Sequence, residues 1–184
     1  FTYRRQDKTN AYDTKDLLQA TRQFTYKRQN RTNAYDTKDL LQMTRQIFAN
    51  DKRQDEIIEE FSVFDEWLDK YEYLIDLGKN LEAYPESEKT EDKLIKGCQS
   101  RVWLDWRLED GKLWFKADSD AIITKGIISL LINVYSGRTP KEIAADDFGF
   151  INQIGLKENL SPTRANGLVS MIDTIKAVAL ENSK

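Results

Sequence analysis

From Asp55 onward the apolar positions of the chain follow first a helical period, then a period of two, then a helical period again. DEIIEEFSVFDEWLDKYEYLIDLGKNL spaces Ile57, Ile58, Phe61, Phe64, Trp67, Leu68, Tyr71, Leu74 and Ile75 by threes and fours. This predicts one amphipathic helix, or a pair kinked near Ser62, with Gly78 as the C-cap. LEAYPESEKTEDK, with Pro85 and alternating charges, reads as a connecting loop. VWLDWRL and KLWFKAD then alternate apolar and polar residues around Asp110-Gly111, a dipeptide suited to a type I′ turn. The prediction is a hairpin over about residues 102–117. A two-residue turn pairs Glu109 with Lys112 and gathers Leu104, Trp106, Leu108, Leu113, Phe115 and Ala117 on one face. The other face sets Asp105 opposite Lys116 and Arg107 opposite Trp114. A slip of one residue would scramble both faces. If the apolar face is core, Trp106→Ala costs roughly 3–5 kcal/mol. A short strand around Lys93–Lys96 is a candidate third member of the sheet.

DAIITKGIISLLINVYSG returns to the helical period and predicts a core helix closed by Gly137. Thr139-Pro140 is an N-cap with proline at the first helical position and opens PKEIAADDFGFINQIGL. Ser161-Pro162 repeats that signature and opens a last amphipathic helix from Thr163 to about Leu180. Helices, an antiparallel hairpin and helices again predict an α+β fold, a small sheet packed against several helices. No glycine-rich loop follows a strand and opens a helix, so nucleotide binding is unsupported.

The segment ahead of Asp55 has a different character. Phe1–Gln23 and Phe24–Gln46 are near-identical copies of a 23-residue unit that differ at four positions. Residues 1–54 carry twelve Lys or Arg against six Asp or Glu, whereas the whole chain has a net charge of -3. The expected organisation is a basic, partly helical extension over 1–54 and an acidic domain over 55–184. In the second copy Leu40, Leu41, Met43, Ile47 and Phe48 form an apolar face of roughly helical period. Two copies are too few to bury a solenoid core. A basic arm can contact nucleic acid, but an appended extension is the preferred reading and no nucleic-acid partner is expected.

Candidate chemistry is confined by two absences. The chain has one cysteine, Cys98, and no histidine. An intramolecular disulfide, a structural zinc site and the Ser-His-Asp and Cys-His arrangements are therefore all excluded. The longest apolar stretch, AIITKGIISLLINVY, falls short of about 20 membrane-spanning residues. The opening FTYRRQD shows no apolar run of the signal-peptide kind. With a single free thiol, the cytoplasm is the expected compartment. Free cysteine is commonly a buried small hydrophobe, but Lys96-Gly97-Cys98-Gln99-Ser100-Arg101 is polar and Gly97 signals a turn. The expectation is a thiol at a loop tip, with Lys96 and Arg101 flanking the sulfur and favouring thiolate. Such a thiolate suits a group that accepts an atom from one partner and gives it to another. A redox-sensing thiol and an adaptor with an inert cysteine are the alternatives.

KGCQSRVWL, ADSDAIITKGIISLL and LSPTRANGLVSMI, in that order, resemble the SufE family of sulfur-acceptor proteins, over about Asp55 to Ala179. The resemblance implies an α+β fold similar to IscU-like scaffolds. It also implies that Cys98 receives persulfide sulfur from a SufS-type cysteine desulfurase, stimulates that enzyme, and passes the sulfur to a SufBCD-type scaffold for iron–sulfur cluster assembly. Any pyridoxal phosphate belongs to the desulfurase; no cofactor and no metal is expected on this chain, which would act as a monomer or homodimer. Lys96, Gly97, Gln99, Ser100 and Arg101 would support the cysteine, and Asp118, Ser119, Asp120 and Arg164 would lie near it and help dock the desulfurase. Many members carry histidine where this chain has Asn159, so any pH-sensitive role of that side chain is absent here. The repeated extension has no counterpart in the family.

Overall fold

Asp110 and Gly111 both take positive φ, 51° and 73°, as a type I′ turn requires, and the hairpin register follows from them. Strand β1 (Val102–Glu109) pairs antiparallel with β2 (Lys112–Ser119), from Glu109 opposite Lys112 to Val102 opposite Ser119. Leu108 faces Leu113, Trp106 faces Phe115 and Leu104 faces Ala117, as the alternation predicts. This hairpin is part of a computed structural model that describes residues 52–183, all within the unit Ile47–Lys184. The tandem repeat and the extension as far as residue 51 lie outside the described residues.

The register holds, but the ion pairs across it differ from the expectation. Asp105 binds Lys93 Nζ at 2.6 Å, and Lys116 lies 3.8 Å from Glu82 and 4.0 Å from Glu88. Arg107 turns along its own strand to Glu109, 3.0 Å away. Pairing in the ladder fixes where side chains start, whereas long charged stems reach whichever partner the loops supply. The expected third strand at Lys93–Lys96 is not formed. Glu91–Lys93 is a 3₁₀ turn, and the segment touches the sheet through a single bridge, Leu94 to Trp103. A matching bridge, Leu113 to Arg138, lies on the other edge.

Helix α1 is described over 52–62, α2 is Trp67–Lys79, α3 is Ile122–Tyr135 and α4 is Pro140–Ala145. Two single-turn helices, α5 (Phe150–Gln153) and α6 (Leu156–Asn159), lead to the long α7 (Pro162–Asn182). The chain breaks between α1 and α2 just after Ser62, as the sequence suggests. At Thr139 a complete capping box opens α4: the threonine hydroxyl accepts from Glu142 N–H while the Glu142 carboxylate accepts from Thr139 N–H. The segment after Pro140 is not one helix, because the Asp146 side chain accepts from Phe148 N–H and ends the first turn run. The same carboxylate forms a buried pair with Arg138 at 3.0 Å and accepts from Gln54 at 2.6 Å and Tyr135 at 3.2 Å. That junction ties α1 to the end of α3.

Helix α3 is the centre of the core. Ile127, Ile128, Leu130, Leu131, Val134 and Tyr135 are buried, and α2, β2 and α7 pack around it. Its contact with α2 is backbone on backbone. A Cβ on Gly78 would lie 2.9 Å from Gly126 N, and one on Gly126 would run into the Leu74 carbonyl. Gly78 is therefore not the C-cap, which is Asn80; it is buried inside α2 because α3 comes too close for a side chain. Among the described residues no helix is long and apolar enough to cross a membrane.

The hairpin's apolar face is covered at Leu104 and along β2 but not at two positions of β1. Leu113, Phe115 and Ala117 are buried against the helices, but Trp106 is 39% and Leu108 48% exposed, because β1 overhangs the core near the turn. The expected loss at Trp106 is corrected accordingly. Trp106→Ala lowers unfolding free energy by about 1–2 kcal/mol, and Phe115→Ala by about 3–5 kcal/mol. Chemical denaturation of the two variants side by side checks the order.

Candidate functional site

The cysteine loop is closed at its base. Ile95 N–H donates to the Val102 carbonyl at 2.9 Å, and the Leu94–Trp103 bridge lies just outside that bond. Lys96 to Arg101 form the excursion between. Gly97 has φ +91°, and a Cβ there would come within 2.6 Å of Ser170 Oγ on α7. Glycine thus serves both the turn and the close approach to the last helix.

The far end of the loop is held by the turn after β2. Ser119 Oγ donates to the Arg101 carbonyl at 2.9 Å, Asp120 N–H donates to the same carbonyl at 3.2 Å, and Asp120 Oδ1 accepts from Arg101 N–H at 3.0 Å. Of the three turn residues proposed for docking, Asp118 and Ser119 are buried and only Asp120 is exposed. Asp118 lies between Lys125 (2.7 Å) and Lys89 (3.0 Å). Burial pushes its carboxyl up, but hydrogen bonds from Lys125, Lys89 and Ser119 N–H outweigh burial and hold it below the ordinary carboxylate value. A depressed folded value contributes stability that is present above the unfolded value and is lost as pH falls through the folded one. Asp118→Asn is expected to be less stable than the parent at neutral pH. Denaturation midpoints of the two should converge on acidification, below the ordinary carboxylate range.

Cys98 does not stand out at the loop tip. It is half-buried, its Sγ–H donates to the Gly167 carbonyl at 3.5 Å, and a Cβ added at Gly167 of α7 would lie 3.5 Å from the sulfur. Burial raises its pKa above the ordinary thiol value. The expected stabilisation of thiolate by Lys96 and Arg101 is thus overturned. The Arg101 guanidinium lies 3.2 Å from Glu91 and 5.0 Å from the Trp103 ring centre, and Lys96 is exposed. Adjacency in sequence placed both charges, but Arg101 turns to Glu91 and Trp103.

Beneath the loop is a cavity of about 250 Å³. Cys98, Gln99 and Ser100 form one wall, and Arg164, at the start of α7, another. The structure thus brings Cys98, Gln99, Ser100 and Arg164 together, whereas Lys96, Arg101 and Asp118 are not on the cavity wall. Sequence reasoning missed the rest of the wall as a site: Thr124 and Ile127 of α3, Ser161 at the N-cap of α7, and Thr163, Gly167 and Met171 of α7. Their signal was available: Thr124 and Gly167 interrupt apolar faces at helical spacing from Ile127 and Met171. Asn159 is not on the wall; its side chain donates to the Gly155 carbonyl at 2.9 Å, and its own carbonyl accepts from the Tyr71 hydroxyl. Among the described residues no group of three or more His, Cys, Asp or Glu could hold a metal ion.

Known proteins place this architecture. An uncharacterized SufE-like protein of Rhizobium meliloti is 43% identical over 130 residues, covering 68% of this chain and 93% of that one. A second from Rhizobium etli is 42% identical over 130 residues, covering 68% and 88%. The solution structure of a hypothetical protein from Thermus thermophilus superposes with a TM-score of 0.59 at 20% identity, over 71% of this chain and 95% of that one. That likeness shows the fold, an α+β arrangement. Residues 55–179, which include the whole cysteine loop and cavity, match the SufE family, described as the Fe-S metabolism associated domain, and the chain belongs to that family.

Proposed function

We propose that this protein accepts a sulfane sulfur on Cys98 from the persulfide of a SufS-type, pyridoxal-phosphate-dependent cysteine desulfurase, stimulates that enzyme by clearing its persulfide, and passes the sulfur to a SufBCD-type scaffold. The observation that carries this reading is the position of the single thiol, on a base-pinned loop over a cavity within the SufE-matching segment.

The step is an exchange at sulfur. The Cys98 sulfur attacks the outer sulfur of the donor persulfide, a new S–S bond forms, and the donor's S–S bond breaks to release its cysteine as thiolate. The proton lost by Cys98 ends on that leaving sulfur, so no oxidant or reductant is consumed. In the docked loop burial favours the thiol, which is the unreactive form. Lifting the loop from Gly167 removes that burial and lets the thiol ionise more readily. Reactivity is thereby tied to engagement of a partner. Exposed Lys96, Gln99, Asp120 and Arg164 surround the loop and are the candidates for docking it. Because no second cysteine exists, the persulfide cannot collapse into an internal disulfide.

Incubation with a cysteine desulfurase and free cysteine, followed by intact-mass measurement, tests the proposal. The expected result is a gain of one sulfur, removed by reductant. An unchanged mass under conditions in which the desulfurase turns over would overturn it.

A further inference from the structure

We infer that residues 81–93 are a strap that clasps the cysteine loop shut, and that releasing Lys89 from Asp118 opens strap and loop together and exposes Cys98. The inference concerns access to the thiol and holds whatever Cys98 accepts.

The strap runs from the end of α2 straight into the loop and holds only two 3₁₀ turns, Glu86–Glu88 and Glu91–Lys93. It lies across the hairpin face opposite the core, where Trp103 pairs with Asp118 and Asp105 with Lys116. Its contacts there are ionic: Lys93 to Asp105 at 2.6 Å, Glu82 to Lys116 at 3.8 Å and Lys89 to Asp118 at 3.0 Å. The last pair is the most enclosed of the three, with side chains 18% and 12% exposed, so solvent and salt screen it least. Glu86 of the strap also approaches Lys89, at 2.7 Å.

Two ion pairs cross the Trp103 indole in opposite directions. Lys89 of the strap and the Arg101 guanidinium at the end of the loop lie 5.2 and 5.0 Å from its ring centre. Lys89 pairs with Asp118 in the turn that holds the loop, while Arg101 pairs with Glu91 of the strap. Asp118 in turn accepts from Ser119 N–H at 2.9 Å, and Ser119 Oγ donates to the Arg101 carbonyl. Moving the strap therefore loosens the loop at both ends, at Arg101 and at Leu94, where strap becomes loop and bridges to Trp103. Closure has an opposing cost. Tyr84 of the strap and Trp103 beside Lys89 each bury a donor, the hydroxyl and Nε1, with no partner among the described residues. A buried donor without a bond is costly, and opening returns both to water. Attraction between charges is thus set against hydration of two donors, a balance that lets a segment open locally while the core stays folded.

The rate at which iodoacetamide alkylates Cys98 in the folded protein reads the opening. In the parent it is expected to rise severalfold between about 0.05 and 0.5 M sodium chloride, as the pairs are screened. Lys89→Met keeps the apolar stem and removes the charge. It should label about tenfold faster than the parent at low salt and lose most of the salt dependence. Lys89→Arg should restore the parent behaviour, and Lys79→Met, which breaks an exposed pair with Asp76 on α2, should match the parent. The sign is diagnostic, because loss of a nearby cation by itself disfavours thiolate and would slow alkylation. Hydrogen exchange should quicken over residues 81–101 and leave β2 protected. A parent rate indifferent to salt, a methionine variant that labels no faster than the parent, or exchange that quickens in β2 as much as in the strap overturns the inference. The salt series needs no substitution and decides the matter even if Lys89→Met folds poorly.

Discussion

Cys98→Ser takes up no sulfur from a desulfurase and free cysteine, whereas the parent protein gains one sulfur that reductant removes. The loss is expected to be complete, because a serine hydroxyl at neutral pH is neither ionised nor able to form the S–S bond that retains the cargo. The variant should keep its fold. The substitution exchanges sulfur for oxygen at a half-buried side chain that makes a weak Sγ–H bond to Gly167 and packs against the edge of the core, at a cost of about 1 kcal/mol. A melting transition within a few degrees of the parent thus accompanies the lost uptake. Sulfur retained by the serine variant at parental level would remove the basis for the proposed function.

The largest effect on stability is expected at Gly126. An added Cβ would lie 2.6 Å from the Leu74 carbonyl carbon and 3.1 Å from Leu74 Cβ. The obstacle is backbone inside a helix, which cannot turn away as a flexible side chain would. Gly126→Ala should gain about 1 kcal/mol of helix propensity and lose more than that to forced separation of α2 and α3. The net cost is expected to be about 3 kcal/mol or more. Gly111→Ala separates this clash from simple backbone strain, since Gly111 has φ +73° but no atom within 4 Å of the added Cβ. It should cost only about 1 kcal/mol. Equal denaturation midpoints for the two variants would show that the helices can part freely at Gly126.

The hairpin register was legible because a strand's period and an Asp-Gly turn are local properties, and the N-caps at Thr139 and Ser161 were legible for the same reason. Covering was not. The alternation placed Trp106 and Phe115 on one face but could not say that α3 reaches only one of them. Gly78 looked like a helix terminator because the reason for it, the backbone of α3, lies 48 residues away in sequence at Gly126. The cysteine loop failed in the same manner. Its polar neighbours suggested an exposed thiolate, while Gly167 and Ser170, far along the chain, receive the loop, and the burial that results raises the thiol's pKa. Arg164 was placed by family resemblance, and Thr124 was not placed, although it interrupts an apolar helix face three residues before Ile127.

The bond from Ile95 N–H to the Val102 carbonyl makes the loop a tether of fixed length. Cys98 is three residues from one post and four from the other, so with the posts held it can swing outward by no more than about 10 Å. A partner that trades sulfur with this protein must bring its own reacting atom inside that radius. The distance between the two protein surfaces at the moment of exchange is therefore set by the short arm of the loop. Lengthening the loop by a few residues would relax that limit, and it would do so without touching the cysteine or any group beside it.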